Sequence, residues 1–461
     1  MLTNTYYILL YTLGALGIYY LVPERFRKGE LVCAGALFYL LCDYRYFLLL
    51  FAEIGISFYV GARIHTAVTD GRKRSAKRWL SVGIICVLSV LGFFKYYGFF
   101  VDKFSLSSVS VALPLGISYY SFKILSYLID IYTGKRKKET SFVGYSVYIA
   151  FFPHLLSGPI VRSEGMLEQL SSGLRYDSEL FSQGCILIIS GLFKKAVIAD
   201  RLGDYVNQVF SRPSSYPALA LWMGAVFYTV QLYCDFAGYS EIAVGSTRLF
   251  GIKCESNFVR PYLAQNMQDF WRRWHVSLSS WLRDYIYIPL GGNRVGRWRK
   301  VRNVMLTFLA CGIWHGGQWH YLLWGTYHGI CNVVTRRKNK SAGIVRRAAN
   351  RFCTMMLVLF GWIFFRADSV GRALEYIKLM FLHLSFSYND IIASILIFTQ
   401  DNTSISYCIL IFLMVLLMFV KELLEENNKK GKDSLLWTGI FLFCILMYGY
   451  TGASSFLYAN Y

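Results

Sequence analysis

The chain has 461 residues, of which 55% are hydrophobic, 18% aromatic and only 16% charged, and its formal net charge is +21. A soluble domain carries about 25% charged residues, so the groups that keep a surface wet are too few here, and a multi-pass integral membrane protein is the class that remains. The 48 Lys and Arg set against 27 Asp and Glu lie in short loops between apolar stretches, a pattern that argues against nucleic acid and for membrane lipids as the surrounding partner.

In chain order, the first apolar stretch is 4–22. It is read as a retained span, because it has neither the basic n-region nor the small-residue cleavage site of a signal peptide. The stretch 31–62 is too long for one pass and is broken at Asp43 and Arg45, which predicts two helices joined by a short turn. Further spans are expected over 79–94, 109–131, 183–198, 217–245, 303–327, 352–365, 405–420 and 435–450. A bilayer crossing takes ~20 residues, and with re-entrant pieces the total comes to about eleven spans. The polar stretches 63–78, 132–142, 162–182, 332–351 and 421–434 are too short to build a soluble core, so one membrane domain over 1–461 is expected. Basic runs at Arg72 to Arg74, Lys135 to Lys138, Arg297 to Arg302 and Arg336 to Lys340 place their loops in the cytoplasm by the positive-inside rule. The eleven cysteines are scattered singly with no CxxC, which is neither a disulfide framework nor a zinc spacing.

From Gly251 to Arg302 the pattern changes: the segment is rich in Trp and Arg and interrupted by Pro261 and Pro289. At 100° per residue, Trp271, Trp274, His275, Leu278, Trp281 and Leu282 fall within a sector of roughly 120°, with Arg272, Arg273 and Arg283 outside it. A helix at the membrane interface or packed across the protein follows, its Trp face inward. His275 sits at the edge of that face and needs a polar partner.

Ionisable groups inside apolar spans are costly and mark candidate functional positions. His315 lies in the run Leu309 to Gly317, followed by Gly316 and Gly317. Imidazole is the usual base near neutral pH, so two readings stand side by side: a general base, or a core histidine bonded to a carbonyl. His320 and His328 raise the question of a metal or haem. Their spacing answers it: His315 to His328 would cover ~20 Å of helix, and residues five apart point ~140° away from each other. No bound cofactor and no metal are therefore expected. Tyr228, Gln231, Asp235 and Tyr239 share one face of the 217–245 stretch, and Asp235 should avoid lipid, so the stripe is either a structural hydrogen-bond set or the lining of a substrate channel.

Several ordered runs resemble the membrane-bound O-acyltransferases (MBOAT), in particular the bacterial branch of alginate O-acetyltransferase type. They are Phe152-Pro153 through Gly158-Pro159-Ile160, Gly191 to Lys195 with Ile198-Ala199-Asp200, and Gln231-Leu232-Tyr233 with Asp235-Phe236 and Gly238-Tyr239-Ser240. A longer run goes from Asn257 through Phe270-Trp271-Arg272-Arg273-Trp274-His275 to Leu290-Gly291-Gly292-Asn293-Arg294, and Trp314-His315-Gly316 and Trp362 with Phe364 to Ala367 complete the set over about 110–370. One departure is His154, where small or polar residues are more usual.

The resemblance implies an all-α ring of about eleven tilted helices, with re-entrant and interfacial pieces around a central tunnel. It implies a cytoplasmic acyl donor, acetyl-CoA by expectation, in the plasma (inner) membrane of a bacterium. It assigns His315 as the essential histidine and His275 as the second conserved polar position, both taken as catalytic; Trp274, Trp314, Gln231, Asp235 and Tyr239 are the candidate substrate-channel residues. The acceptor would be an extracytoplasmic polysaccharide such as alginate, another exopolysaccharide or peptidoglycan. The chain has no segment to hold a polymer, so an extracytoplasmic hydrolase-like acetyltransferase is the expected partner. D-alanyl transfer to teichoic acid is an enzymatic alternative, against which the run Ile288 to Arg294 counts, and a transporter or channel built on the Asp235 stripe is a non-enzymatic one.

Overall fold

The structure, a computed structural model, describes residues 5–104, 111–156, 158–335, 343–382, 384–397, 405–427, 434–450 and 452. Among them every regular element is helical, which suits a bilayer, where only helices and closed barrels satisfy their own backbone groups.

Helix α1 (Thr5–Leu21) is followed by α2 (Arg27–Asp43), a 3-10 turn at Tyr44–Tyr46, and α3 (Phe47–Thr69). The predicted break at Asp43 is present, and the Arg45 guanidinium donates to the Asp43 carboxylate at 3.0 Å there. Helices α4 (Lys73–Phe104) and α5 (Ile117–Tyr132) come next, then the short α6 (Phe142–Ala150), α7 (Phe152–Leu155) and α8 (Ser163–Ser172). Helix α9 (Ser178–Leu192) runs through a π-helical stretch, Phe193–Ala199, into α10 (Asp200–Ser211), and α11 (Ala218–Leu249) follows. Helices α12 (Met267–Arg273), α13 (Val276–Leu282), α14 (Arg297–His315), α15 (Trp319–Val334) and α16 (Ile344–Arg366) hold most of the chemistry-bearing residues. Helices α17 (Val370–Phe381), α18 (Tyr388–Leu396), α19 (Ile405–Asn427) and α20 (Ser434–Tyr448) close the series.

Six helical stretches among the described residues are long and apolar enough to cross a membrane: 24–69, 73–99, 178–211, 218–249, 344–366 and 406–426; two shorter apolar helices cover 5–21 and 435–448. The protein is a multi-pass, all-helical membrane protein. The described residues gather into two compact units, one of Met1–Ile188 with Ser240–Ser256, the other of Ile189–Tyr239 with Asn257–Leu457. In the first, the rings of Tyr11, Phe38 and Phe152 meet at centroid distances of 5.1 to 5.6 Å. The second is built on a buried aromatic block around Trp274, Trp324 and Trp362.

Two expectations need correction. The apolar stretch 303–327 is not one span: α14 ends at His315, Gly316 is extended, and α15 turns back. The reason is close packing. A Cβ on Gly312 would lie 2.5 Å from the Tyr321 carbonyl oxygen, and one on Gly325 would strike the Phe308 carbonyl. Glycine at both positions lets the two backbones touch, and the hairpin closes there. The amphipathic segment is also not one helix, because His275 adopts a left-handed backbone (φ 43°) between α12 and α13. The inward set nevertheless holds: Trp271, Trp274, His275, Leu278, Trp281 and Leu282 are all buried, while Arg272 and Arg283 are exposed.

The basic run Arg336 to Lys340 lies outside the described residues. Exposed Arg72 and Lys137 mark two of the other basic loops, which positive-inside topology puts in the cytoplasm. Single cysteines placed at 72 and 137 in a cysteine-free background should stay unmodified by an impermeant maleimide added to intact cells. Labelling of either from outside would break this topology.

Candidate active site

The second unit holds the site. His315 is the last residue of α14 and only 5% exposed. Its ring is walled by Trp314 (4.8 Å between centroids), Trp324 (5.0 Å) and Phe365 (5.2 Å). Gly316 beside it has no room for a side chain, since a Cβ there would lie 2.5 Å from the Tyr321 ring, and with the backbone contact at Gly312 this holds the histidine at the helix crossing.

His275 is reached from the other side of Trp314, whose ring lies 6.0 Å from it. The local fold is organised by Asn257. Its Oδ1 accepts the Ser277 backbone N–H at 3.0 Å, which identifies that atom as the oxygen, and the same Oδ1 lies 3.2 Å from His275 Nδ1. Nδ1 must then carry the proton, which leaves Nε2 with a bare lone pair. Nε2 is buried and has no hydrogen-bond partner among the described residues. Burial pushes the His275 pKa down to about 3, because low-dielectric surroundings disfavour the imidazolium. The partner that the sequence demanded for His275 is therefore Asn257. The left-handed backbone lets the ring turn back onto it.

The other expected residues fall into two places. Trp314 sits between the two histidines. Trp274 packs into the aromatic block against Trp362 at 4.8 Å and Phe258 at 5.0 Å. Asp235 and Tyr239 belong to a buried ionic cluster: Lys195 Nζ lies 2.5 Å from Asp235 and 2.7 Å from Asp200, and 5.5 Å from the Tyr239 ring centroid. Gln231 is buried on the same helix, its Oε1 without a partner among the described residues. The two groups adjoin, for Phe236, next to Asp235, packs edge-to-face on His275 at 4.8 Å. In the sequence Lys195 stands only within the motif Gly191 to Lys195, but a lysine inside an apolar span carries the same signal as Asp235 and marks its partner.

His320 is tied to the Phe364 carbonyl at 3.1 Å and to the Gln318 side chain at 2.6 Å. His328 is wholly buried among Trp271, Trp324 and Trp362. In the first unit, His154 lies 2.9 Å through Nε2 from the Thr247 hydroxyl, and that hydroxyl already donates to the Ala243 carbonyl, so His154 is the donor.

A cavity of about 740 Å³ opens beside α12 to α15. Arg272, Arg283, Arg297 and Lys300 line its wall, the three arginines exposed, while its buried lining includes Trp271 and Cys311. Cys311 is one helical turn before His315 on α14, so the cavity reaches the same helix face as the histidine.

Residues 133–337 match the membrane-bound O-acyltransferase family, MBOAT. The chain is 36% identical to Probable alginate O-acetylase AlgI of Pseudomonas aeruginosa, over 91% of this chain and 82% of that protein. It is 32% identical to Peptidoglycan O-acetyltransferase of Helicobacter pylori, over 95% and 92%. It is 30% identical to Teichoic acid D-alanyltransferase of Bacillus subtilis, over 54% and 66%. With the buried histidines and the membrane fold, these likenesses define the class, an enzyme that moves an acyl group onto oxygen within a bilayer. The chain belongs to the membrane-bound O-acyltransferase family, and it is an O-acyltransferase.

Proposed function

We propose that this enzyme passes an acetyl group from acetyl-CoA on the cytoplasmic side of the bacterial plasma membrane toward a hydroxyl of an extracytoplasmic polysaccharide, such as alginate, another exopolysaccharide or peptidoglycan. An extracytoplasmic hydrolase-like acetyltransferase completes the transfer. The observation that carries this reading is the cavity. Its four cationic side chains suit the phosphates of a coenzyme A thioester. Its buried end, at Trp271 and Cys311, lies one turn from the histidine that would receive the hydroxyl proton.

In that reading the acceptor hydroxyl attacks the acetyl carbon, His315 takes the proton as the C–O bond forms, and the C–S bond then breaks. Exclusion of water by the surrounding rings protects the thioester from hydrolysis. His275 presents its bare Nε2 to a donor group on one substrate and so positions it. The relatives aligned along most of the chain are acetyl-transferring by name, whereas the D-alanyl relatives cover about half of it. A cation path through Asp235 is disfavoured by the Lys195 ammonium, which neutralises it.

The test is acetyl-CoA turnover by the purified chain in vesicles with the cytoplasmic face outward and the partner and polymer enclosed. Arg297→Glu with Lys300→Glu should raise the KM for acetyl-CoA by roughly tenfold or more with little change in kcat, since loss of charge-assisted phosphate contacts weakens ground and transition states alike. Polymer acetylation should appear only when the partner is added. Use of a D-alanyl carrier thioester with no use of acetyl-CoA would overturn the acetyl assignment.

A further inference from the structure

His328 and its neighbours present an accounting problem. A buried N–H without a partner is rare, because losing water without gaining a hydrogen bond is costly. Here Trp324 Nε1, Trp271 Nε1 and both ring nitrogens of His328 are buried and have no hydrogen-bond partner among the described residues. The three residues are mutual neighbours: Trp271 to Trp324 is 5.8 Å between centroids, Trp271 to His328 is 5.2 Å, and Trp324 to His328 is 4.9 Å. They also link the cavity to His315 by ring packing. Trp271 lines the cavity, and Trp324, 1% exposed, packs against His315 at 5.0 Å with the rings at 84°.

We propose that the Trp324 indole N–H is the oxyanion-binding donor of this enzyme, taking the acyl carbonyl oxygen of the thioester beside His315, with Trp271 guiding that carbonyl in from the cavity. The inference rests on the acyl-transfer reading above. As the hydroxyl oxygen bonds to the acyl carbon, its proton passes to His315 and the carbonyl π electrons move onto the oxygen. That oxygen carries the developing charge and receives the Trp324 N–H bond. Collapse restores the carbonyl, breaks the C–S bond, and returns the proton from His315 to the departing thiolate. A donor fixed in a dry site ahead of the reaction needs no reorganisation when the charge appears. The packing fixes it: the Trp324 ring is held by Trp271, His328, Trp362 and Phe365 as well as by His315.

The experiment deletes the N–H and keeps the ring. Benzothienylalanine, in which sulfur replaces the indole nitrogen, is placed at position 324 by codon suppression, and acetyl-CoA turnover is followed in vesicles. The expected result is a kcat lower by roughly 10² to 10³, the usual cost of removing one oxyanion donor, with KM for acetyl-CoA and the melting temperature unchanged. An unchanged kcat overturns the proposal and leaves the acyl-transfer reading standing. If the unsubstituted chain turns over no acetyl thioester, both fall together. A second measurement needs no variant. The carbon-13 acetyl carbonyl of oxygen-for-sulfur acetyl-CoA, bound to the unsubstituted chain, should absorb at lower infrared frequency than in water, and an upward shift counts against Trp324.

Discussion

Replacing His315 with Ala or Gln lowers acetyl transfer by at least the ~10² to 10⁴ that loss of general-base catalysis costs, while membrane accumulation stays near that of the unsubstituted chain. The expectation follows from where the ring sits. It ends α14 at a turn, and its neighbours are the rings of Trp314, Trp324 and Phe365. The hairpin is held by the backbone contacts at Gly312 and Gly325, which a side-chain change at 315 leaves alone. His275→Ala should lose less activity, because in the proposed mechanism that ring orients a substrate and His315 takes the proton. It should also lose some stability, since Asn257 forfeits a hydrogen-bonded neighbour and the left-handed backbone at 275 remains. Acetyl content of the polymer at matched protein level separates the two variants. Near-normal acetylation with His315→Ala would mean that another group is the base.

Lys195→Met destabilises the protein by about 3–5 kcal/mol, the usual cost of removing one partner from a buried ionic group. The lysine answers two carboxylates at once, and all three side chains are nearly or fully buried. Without it, Asp200 and Asp235 are left near each other with no cation between them. The melting temperature in detergent should fall sharply, and adding Asp200→Asn and Asp235→Asn should recover part of the loss, because neutral amides remove the repulsion. A Lys195→Met chain that melts normally would show that the cluster carries no stability. Activity is expected to fall with it, since Phe236 ties this helix to His275.

Much of this was legible in the sequence, for identifiable reasons. Hydropathy located α1, α16, α19 and α20 to within a few residues at most ends, and the charge pair Asp43 and Arg45 located the break between α2 and α3. The hairpin at Gly316 was hidden because α15 resumes an apolar pattern almost at once. Hydropathy reads composition, and it is blind to a glycine that lets two backbones meet. The break at His275 was hidden for a different reason. Left-handed backbone at a non-glycine residue leaves no mark in residue type, and here it is held by Asn257, far away in sequence. The inward set survived that error, because short helices on either side of one bend still bury the same residues. Sequence spacing raises His328 only as a metal ligand; its relation to Trp271 and Trp324 exists only once α12 and α15 are packed together.

The π-helical stretch Phe193–Ala199 makes the residue count here rigid. A π segment closes its bonds five residues apart instead of four, so it behaves as an insertion absorbed within a continuous helix. It leaves Lys194 over the Tyr233 ring at 5.5 Å and Lys195 between Asp200 and Asp235. Removing a single residue would restore an ordinary helix, leave α10 near its present orientation, and change which way the side chains inside the stretch face, those of Lys194 and Lys195 among them. Arg201, which bonds the Tyr407 hydroxyl and the Tyr448 carbonyl, lies beyond the stretch and would keep its partners, while the Lys195 cluster would lose its own. Insertions and deletions among relatives should therefore avoid this stretch, even where substitutions accumulate freely.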